Sequence, residues 1–177
     1  MNLSNMLKER AAQGKPVRIG QVGAGKFGIM HLAQSRLTTG MHMVALADLM
    51  PDRARSRMIE VGWPAEQTHA KSIGDALTTG ATHITEDASS LIPCPELDVI
   101  VEATGDPATG IKLCLAAIEH GKHIVMVNVE ADSVAEPRLA REARAGGVVY
   151  SLPWGERPAR VCEHVGHRQE HRQVLLF

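Results

Sequence analysis

Six residues near the N-terminus constrain the fold more than any others. Gly23-Ala24-Gly25-Lys26-Phe27-Gly28 follows the compact apolar run 17–22 (VRIGQV) and opens a helical pattern from Lys26. That pattern puts Ile29, Leu32, Ala33 and Leu37 on one face and ends at Gly40. In a GxGxxG segment so placed, the first glycine permits the tight turn, the second lets backbone approach a pyrophosphate, and the third lets helix and strand pack closely. The helix N-terminus offers free N–H groups and the positive end of its dipole to phosphates. Asp48, 20 positions beyond Gly28, ends a second strand pattern over 42–47 and completes the fingerprint. The expected ligand is a dinucleotide. The competing reading is a glycine-rich turn in a sheet of the same fold that binds nothing.

The rest of the chain alternates in the same way. An amphipathic helix is expected over 3–13, with Ser4 as a candidate cap and Gly14-Lys15-Pro16 as terminator. Pro51 suits the first turn of a helix reaching Glu60. Residues 65–79 read as helix, 82–85 as a short strand and 98–102 (DVIVE) as a buried strand. Asp106-Pro107 caps a helix with Ile111, Cys114, Leu115 and Ile118 on its apolar stripe, closed by Gly121. Then come a strand over 123–129, a helix over 137–145 and a sixth strand over 147–152. Strands alternating with helices imply crossover units and a mainly parallel sheet. The strands are continuous apolar runs, as when helices cover both faces. The fold class is therefore α/β, a doubly wound sheet of about six strands in the order 3-2-1-4-5-6.

In such sheets ligands bind beyond the carboxyl ends of the strands. Asp48 there accepts ribose hydroxyls and favours NAD, whereas Arg53 or Arg55 just downstream would pair with the 2′-phosphate of NADP. Both cofactors stay open, with a slight lean on Asp48. The fourth and fifth strands end in Glu102-Ala103-Thr104-Gly105 and Asn128-Val129-Glu130. Thr104, Gly105 and Asn128 are expected beside the nicotinamide half, and Glu102 reads as a structural carboxylate.

Composition removes other classes. Nineteen Lys and Arg against 20 Asp and Glu leave a charge of −1, without the basic surplus of a nucleic-acid binder. Aromatic residues at 3% supply no stacking platform. Cys94, Cys114 and Cys162 are scattered and form no CxxC pair, which suits a reducing, cytoplasmic setting. Cys114, on an apolar helix face, reads as core and not as a nucleophile. No apolar run approaches the roughly 20 residues that span a bilayer. Tyr150 is the only tyrosine and lacks the Tyr-xxx-Lys spacing of short-chain dehydrogenases.

The segments VRIGQVGAGKFGIMHL, VALADL, VEATGDP, GKHIVMVNVEAD and GVVYSLPWGERPA, in this order, resemble the N-terminal half of homoserine dehydrogenase-like oxidoreductases that carry a C-terminal SAF domain. That family includes a second type of 1-deoxy-D-xylulose 5-phosphate reductoisomerase. The resemblance covers residues 3–163 and implies NAD(P)-dependent hydride transfer with a small polar substrate. It places the cofactor at Gly23, Gly25, Gly28, Asp48, Thr104 and Asn128. Homoserine dehydrogenases themselves have a lysine after the fifth-strand asparagine. Val129 stands there in this chain and counts against homoserine as substrate. Family members are more than twice as long, so the catalytic residues, the proton donor included, are not assignable.

The expected organisation is an N-terminal helix over 1–16, a dinucleotide-binding Rossmann domain over 17–155, and a divergent tail over 156–177, truncated or frame-shifted. His164, His167 and His171 in that tail have the spacing of one helix face and could ligate zinc, but a solvated tail is the plainer reading, and no metal is expected. A homo-oligomer is compatible with the pattern. A non-catalytic dinucleotide-sensing module and an inactive fragment are the rival functional readings.

Overall fold

The computed structural model describes residues 3–152. The tail histidines and residues 153–177, together with Met1 and Asn2, lie outside the described residues. The elements in chain order are α1 (Leu3–Ala12), β1 (Val17–Val22), α2 (Lys26–Ser35), β2 (Met41–Ala47), α3 (Pro51–Glu60), α4 (Ile73–Thr79), β3 (His83–Thr85), β4 (Val99–Glu102), α5 (Pro107–Glu119), β5 (His123–Met126), α6 (Val129–Ala145) and β6 (Tyr150–Ser151). The six strands form one sheet in the order β3-β2-β1-β4-β5-β6. Every neighbouring pair is parallel. This is the expected doubly wound order, in which the chain reverses direction across the sheet between β1 and β4.

Each face of the sheet carries its own core. On one side Leu32 of α2, Ala54 and Met58 of α3 and Trp63 pack on Ile19, Met43, Leu46 and Val101. On the other, Leu113, Cys114 and Ala117 of α5 and Leu139 and Ala143 of α6 pack on Val44, Ile100 and Ile124. The central strands are buried from both sides, which explains their unbroken apolar runs. The sheet and its helices therefore hold the carboxyl ends of β1, β2 and β4 together at one edge.

Several element boundaries differ from expectation. The helix that ends in Ala145 starts at Val129, eight residues before Pro137, and carries that proline in its interior. Asn128 decides the start: its Oδ1 accepts the Ala131 N–H at 3.1 Å, and Glu130 and Asp132 in the first turn favour the positive end of the helix dipole. The preceding strand accordingly stops at Met126. Residues 65–79 are not one helix. A 3-10 turn over Ala65–Thr68 is separated from α4, which begins after Ser72 with the serine hydroxyl accepting from Asp75 N–H at 3.1 Å. Leu37 lies beyond the end of α2 and is 65% exposed, so it does not join that helix's apolar face. Ser4 lies within the first turn of α1 instead of capping it. The sixth strand contracts to Tyr150 and Ser151.

Candidate functional site

The glycine loop is built by close approach. Gly23 adopts φ +98°, a conformation L-residues rarely take. A Cβ there would overlap the Ala103 carbonyl and stand 3.0 Å from Thr104 N. Its N–H donates to Ala47 O at 2.8 Å, and Ala103 N–H donates to Val22 O at 2.8 Å, so the loop sits pressed between the ends of β2 and β4. Gly28 faces back onto the loop, where a Cβ would overlap the Gly23 carbonyl oxygen. Gly25 differs from both. It is the N-cap of α2, has ordinary dihedrals, makes no side-chain cap, and a Cβ on it would meet nothing within 4 Å. Its open side is the space a pyrophosphate needs, in front of the first N–H groups of α2.

Four side chains brace this loop. Asp48, at the end of β2, accepts the Ala24 N–H on Oδ2 at 2.7 Å and the Met50 N–H on Oδ1 at 2.9 Å. Arg57 of α3 donates Nη1 to the Ala24 carbonyl at 2.7 Å, so the two peptide groups of Ala24 are held from opposite sides. Gln21 is wholly buried in β1, and its Nε2 donates to Gly23 O at 2.7 Å and Gly28 O at 3.1 Å, bridging the two ends of the loop. Its Oε1 lies 2.7 Å from His31 Nδ1. An amide oxygen only accepts, so His31 carries its proton on Nδ1. Burial lowers the His31 pKa, which keeps the ring neutral near pH 7.

At the end of β4, Glu102 is fully buried. Its Oε1 accepts the Thr104 N–H at 2.9 Å and the Thr104 hydroxyl at 2.5 Å, while Oε2 is buried with no partner among the described residues. Burial raises its pKa above the ordinary carboxylate range, against the opposing pull of the Thr104 hydrogen bonds. Gly110 makes room for it, since a Cβ there would stand 2.8 Å from both Glu102 Oε2 and Asn128 Nδ2. Asn128 is only 3% exposed. Its Nδ2 donates to Asp106 O at 3.0 Å and reaches Thr104 Oγ1 at 3.5 Å, while its Oδ1 caps α6. It latches the loop after β4 to the start of α6.

A cavity of about 380 Å³ opens over the ends of β1, β2 and β4. It brings together Gly23, Ala24, Gly25, Asp48, Arg53 and Thr104 of the residues singled out from sequence. Lys26 and Phe27 project from the first turn of α2 outside it, Phe27 with 54% exposure. Gly28 supports the loop from behind, and Gly105 (φ +75°) and Asn128 lie outside the lining. Arg55 turns away, its Nη1 on Asp52 at 2.7 Å and its Nε on the Thr68 carbonyl at 3.3 Å. Sequence reasoning missed Arg57, which lines the cavity with Arg53. The signal was available: Arg53 and Arg57 are four apart on α3 and share a face, whereas Arg55 is two apart from each. It also missed Gln21 and His31, for which no spacing rule exists.

The glycine loop, the strand-end acid and the open cavity fit an NAD-type nucleotide. Residues 19–153 match the family model described as homoserine dehydrogenase, NAD binding domain. The chain belongs to this family. It is an NAD(P)-binding domain of the homoserine dehydrogenase-like oxidoreductases, as the sequence motifs implied. A homoserine dehydrogenase from Pseudomonas aeruginosa is 31% identical over 143 residues, 78% of this chain and 29% of that protein. A 1-deoxy-D-xylulose 5-phosphate reductoisomerase from Stutzerimonas stutzeri is 28% identical over 122 residues, 69% of this chain and 28% of that protein. The chain thus spans less than a third of the length of these curated relatives. Among solved structures, a homoserine dehydrogenase from Thiobacillus denitrificans aligns with a TM-score of 0.61 at 22% identity, over 78% of this chain and 29% of that one. An NAD binding oxidoreductase from Klebsiella pneumoniae aligns with a TM-score of 0.60 at 21% identity, over 86% of this chain and 39% of that one. At these identities the structural likeness shows the fold. No helix among the described residues is long and apolar enough to cross a membrane.

Proposed function

We propose that this chain holds the nicotinamide cofactor for hydride transfer to or from a carbonyl or alcohol carbon of a small polar metabolite. The single observation that carries this reading is Gly25. It leaves open space in front of the N-terminus of α2, while Gly23, Ala24 and Gly28 are held by Gln21, Asp48 and Arg57. The cofactor supplies the hydride chemistry when bound, and the protein supplies position and field. Gly25 and the first turn of α2 would take the pyrophosphate, and the Asp48, Arg53 and Arg57 end of the cavity the adenosine. Thr104 would border the nicotinamide half. Its hydroxyl donates to Glu102 and accepts the Asp106 N–H at 3.3 Å, so it is held in place from both sides.

The substrate reading rests on the relatives, a homoserine dehydrogenase and a 1-deoxy-D-xylulose 5-phosphate reductoisomerase. We favour a small polar metabolite, and not homoserine itself, because Val129 occupies the position after Asn128. The described fold, a Rossmann unit preceded by α1, supports the domain assignment of 17–155. A near-neutral charge and scarce aromatic residues support a small-molecule partner over nucleic acid, and the scattered thiols suit the cytoplasm. Titration calorimetry of the full chain tests the cofactor role directly. The expected result is NAD(H) or NADP(H) binding between micromolar and millimolar, and no heat with either dinucleotide would reject it.

A further inference from the structure

The adenosine end of the cavity is framed by two guanidinium groups and one carboxylate already engaged by backbone. Asp48, which would otherwise accept ribose hydroxyls, receives one N–H on each oxygen, from Ala24 at 2.7 Å and Met50 at 2.9 Å. These bonds fix the glycine loop and the turn into α3, and they occupy one acceptor site on each oxygen of a carboxylate that still lines the cavity. Arg53 and Arg57 stand four residues apart on α3, and both line the cavity. Neither is paired with a carboxylate among the described residues. Arg57 has one nitrogen on the Ala24 carbonyl, which holds its guanidinium at the cavity wall with donors to spare. The Arg53 side chain makes no hydrogen bond or ion pair among the described residues. The third arginine of the helix, Arg55, is neutralised by Asp52, so the helix separates a paired face from an unpaired one.

We propose that the cavity prefers the 2′-phosphorylated dinucleotide, NADP(H), over NAD(H), with Arg53 and Arg57 as the groups that recognise the 2′-phosphate. The proposal rests on the NAD(P)-binding reading above and sharpens it. An NAD site gains from a carboxylate whose acceptor sites are all free for two ribose hydroxyls, and Asp48 has already given one site on each oxygen to a backbone N–H. Guanidinium groups bind phosphate through charge-assisted, often bidentate hydrogen bonds. Three carboxylates line the cavity and oppose the phosphate: Asp48, Glu86 beyond β3, and Asp106 after β4, whose Oδ2 accepts the Thr109 N–H at 2.8 Å. Glu86 is exposed, so solvent and salt screen it. The charge of Asp48 is offset by the two N–H groups it accepts. Arg53 and Arg57 supply the opposing positive charge and the donors that a phosphate needs at the same cavity.

The test uses two fragments that differ only in the 2′-phosphate, 2′,5′-ADP and 5′-AMP, with the full chain in calorimetry, followed by NADPH and NADH. The expected result is at least about tenfold tighter binding of 2′,5′-ADP than of 5′-AMP, with the gap narrowing as salt rises. In Arg53→Met and Arg57→Met the ratio should fall toward one. Arg57 also braces Ala24, so its variant is checked by thermal melting. Arg53 holds nothing in the fold, which keeps the test valid if the Arg57 variant is unstable. Equal affinities for the two fragments, or a ratio preserved in both variants, overturn the proposal and leave dinucleotide binding intact. Absence of binding by NADH and NADPH as well overturns the underlying reading along with it.

Discussion

Replacing the three glycines of the loop one at a time should separate folding from binding. Gly25 has φ −67° and ψ −166°, open to any L-residue, and its Cβ would touch nothing. Gly25→Ala should therefore fold, losing only the preference for glycine over alanine at an N-cap, about 1 kcal/mol or less. The added methyl stands where the pyrophosphate approaches the helix N-terminus, so dinucleotide affinity should fall by about a hundredfold, ~2.7 kcal/mol. Gly28→Ala drives a methyl into the Gly23 carbonyl and to 2.9 Å from Gln21 Nε2, neither of which can move without breaking the bridge they form. The expected loss is on the order of 1–3 kcal/mol of stability, as for overpacking. Gly23→Ala combines a like overlap, on the Ala103 carbonyl, with φ +98°, and about 3 kcal/mol or more is expected. Urea denaturation gives the stabilities and calorimetry the affinities. If Gly25→Ala binds like the parent, no phosphate approaches Gly25 and the site reading is wrong. If Gly28→Ala is as stable as the parent, the close packing described for the loop is wrong.

Other outcomes follow from the buried polar groups. Glu102 has a raised folded pKa, so between its unfolded and folded values the native state binds more protons than the unfolded one. Stability should fall as pH rises from the ordinary carboxylate range through that window. Glu102→Gln should remove this slope, and pH-dependent denaturation in which both proteins keep the same slope would contradict the assignment. Gln21→Leu strips the hydrogen bonds from two loop carbonyls and from His31 Nδ1–H, so a loss of about 2–4 kcal/mol is expected in denaturation. Nitrogen NMR of the parent should show the Nδ1–H tautomer of His31 at neutral pH. Burial pushes the Cys114 thiol up to about 12, so peptide mapping after iodoacetamide at pH 8 should find it unmodified until the chain is unfolded.

The parts of the fold legible in the sequence were those where one local rule acts alone. Continuous apolar strands, the Asp106-Pro107 cap and the glycine loop each follow from spacing, and the sheet order follows from their alternation. The start of α6 was hidden because two helix-start signals compete, Pro137 and Asn128. The asparagine wins through a hydrogen bond that no sequence pattern guarantees, and the helix tolerates the interior proline. Asn128 was expected beside the nicotinamide for its position at a strand end, yet its capping role buries the side chain. Arg55 looked equivalent to Arg53 until the helix turned it toward Asp52. Gln21 was unreadable, because a polar residue in an apolar strand makes sense only once the loop above it is folded.

The bracing of the loop decides which polar groups it can present to a ligand. Ala24 has its N–H on Asp48 and its carbonyl on Arg57; Gly23 and Gly28 have their carbonyls on Gln21; Gly25 has its carbonyl on the Ile29 N–H at 3.0 Å. All the loop's acceptors named here are thus engaged by the protein itself. The first-turn N–H groups of α2 have no intrahelical partner by geometry, and no side chain caps them. What the loop presents to the cavity is therefore donors without competing acceptors, held in place before any ligand arrives. The loop is ordered by the protein's own hydrogen bonds, which lowers the ordering part of the cost of binding a diphosphate. The same logic extends to the base of the loop. Because Gln21 can donate to both carbonyls only while His31 accepts none of its protons, a neutral Nδ1–H imidazole and a correctly oriented amide imply one another. Loss of either should loosen the phosphate site without touching a single group that contacts the ligand.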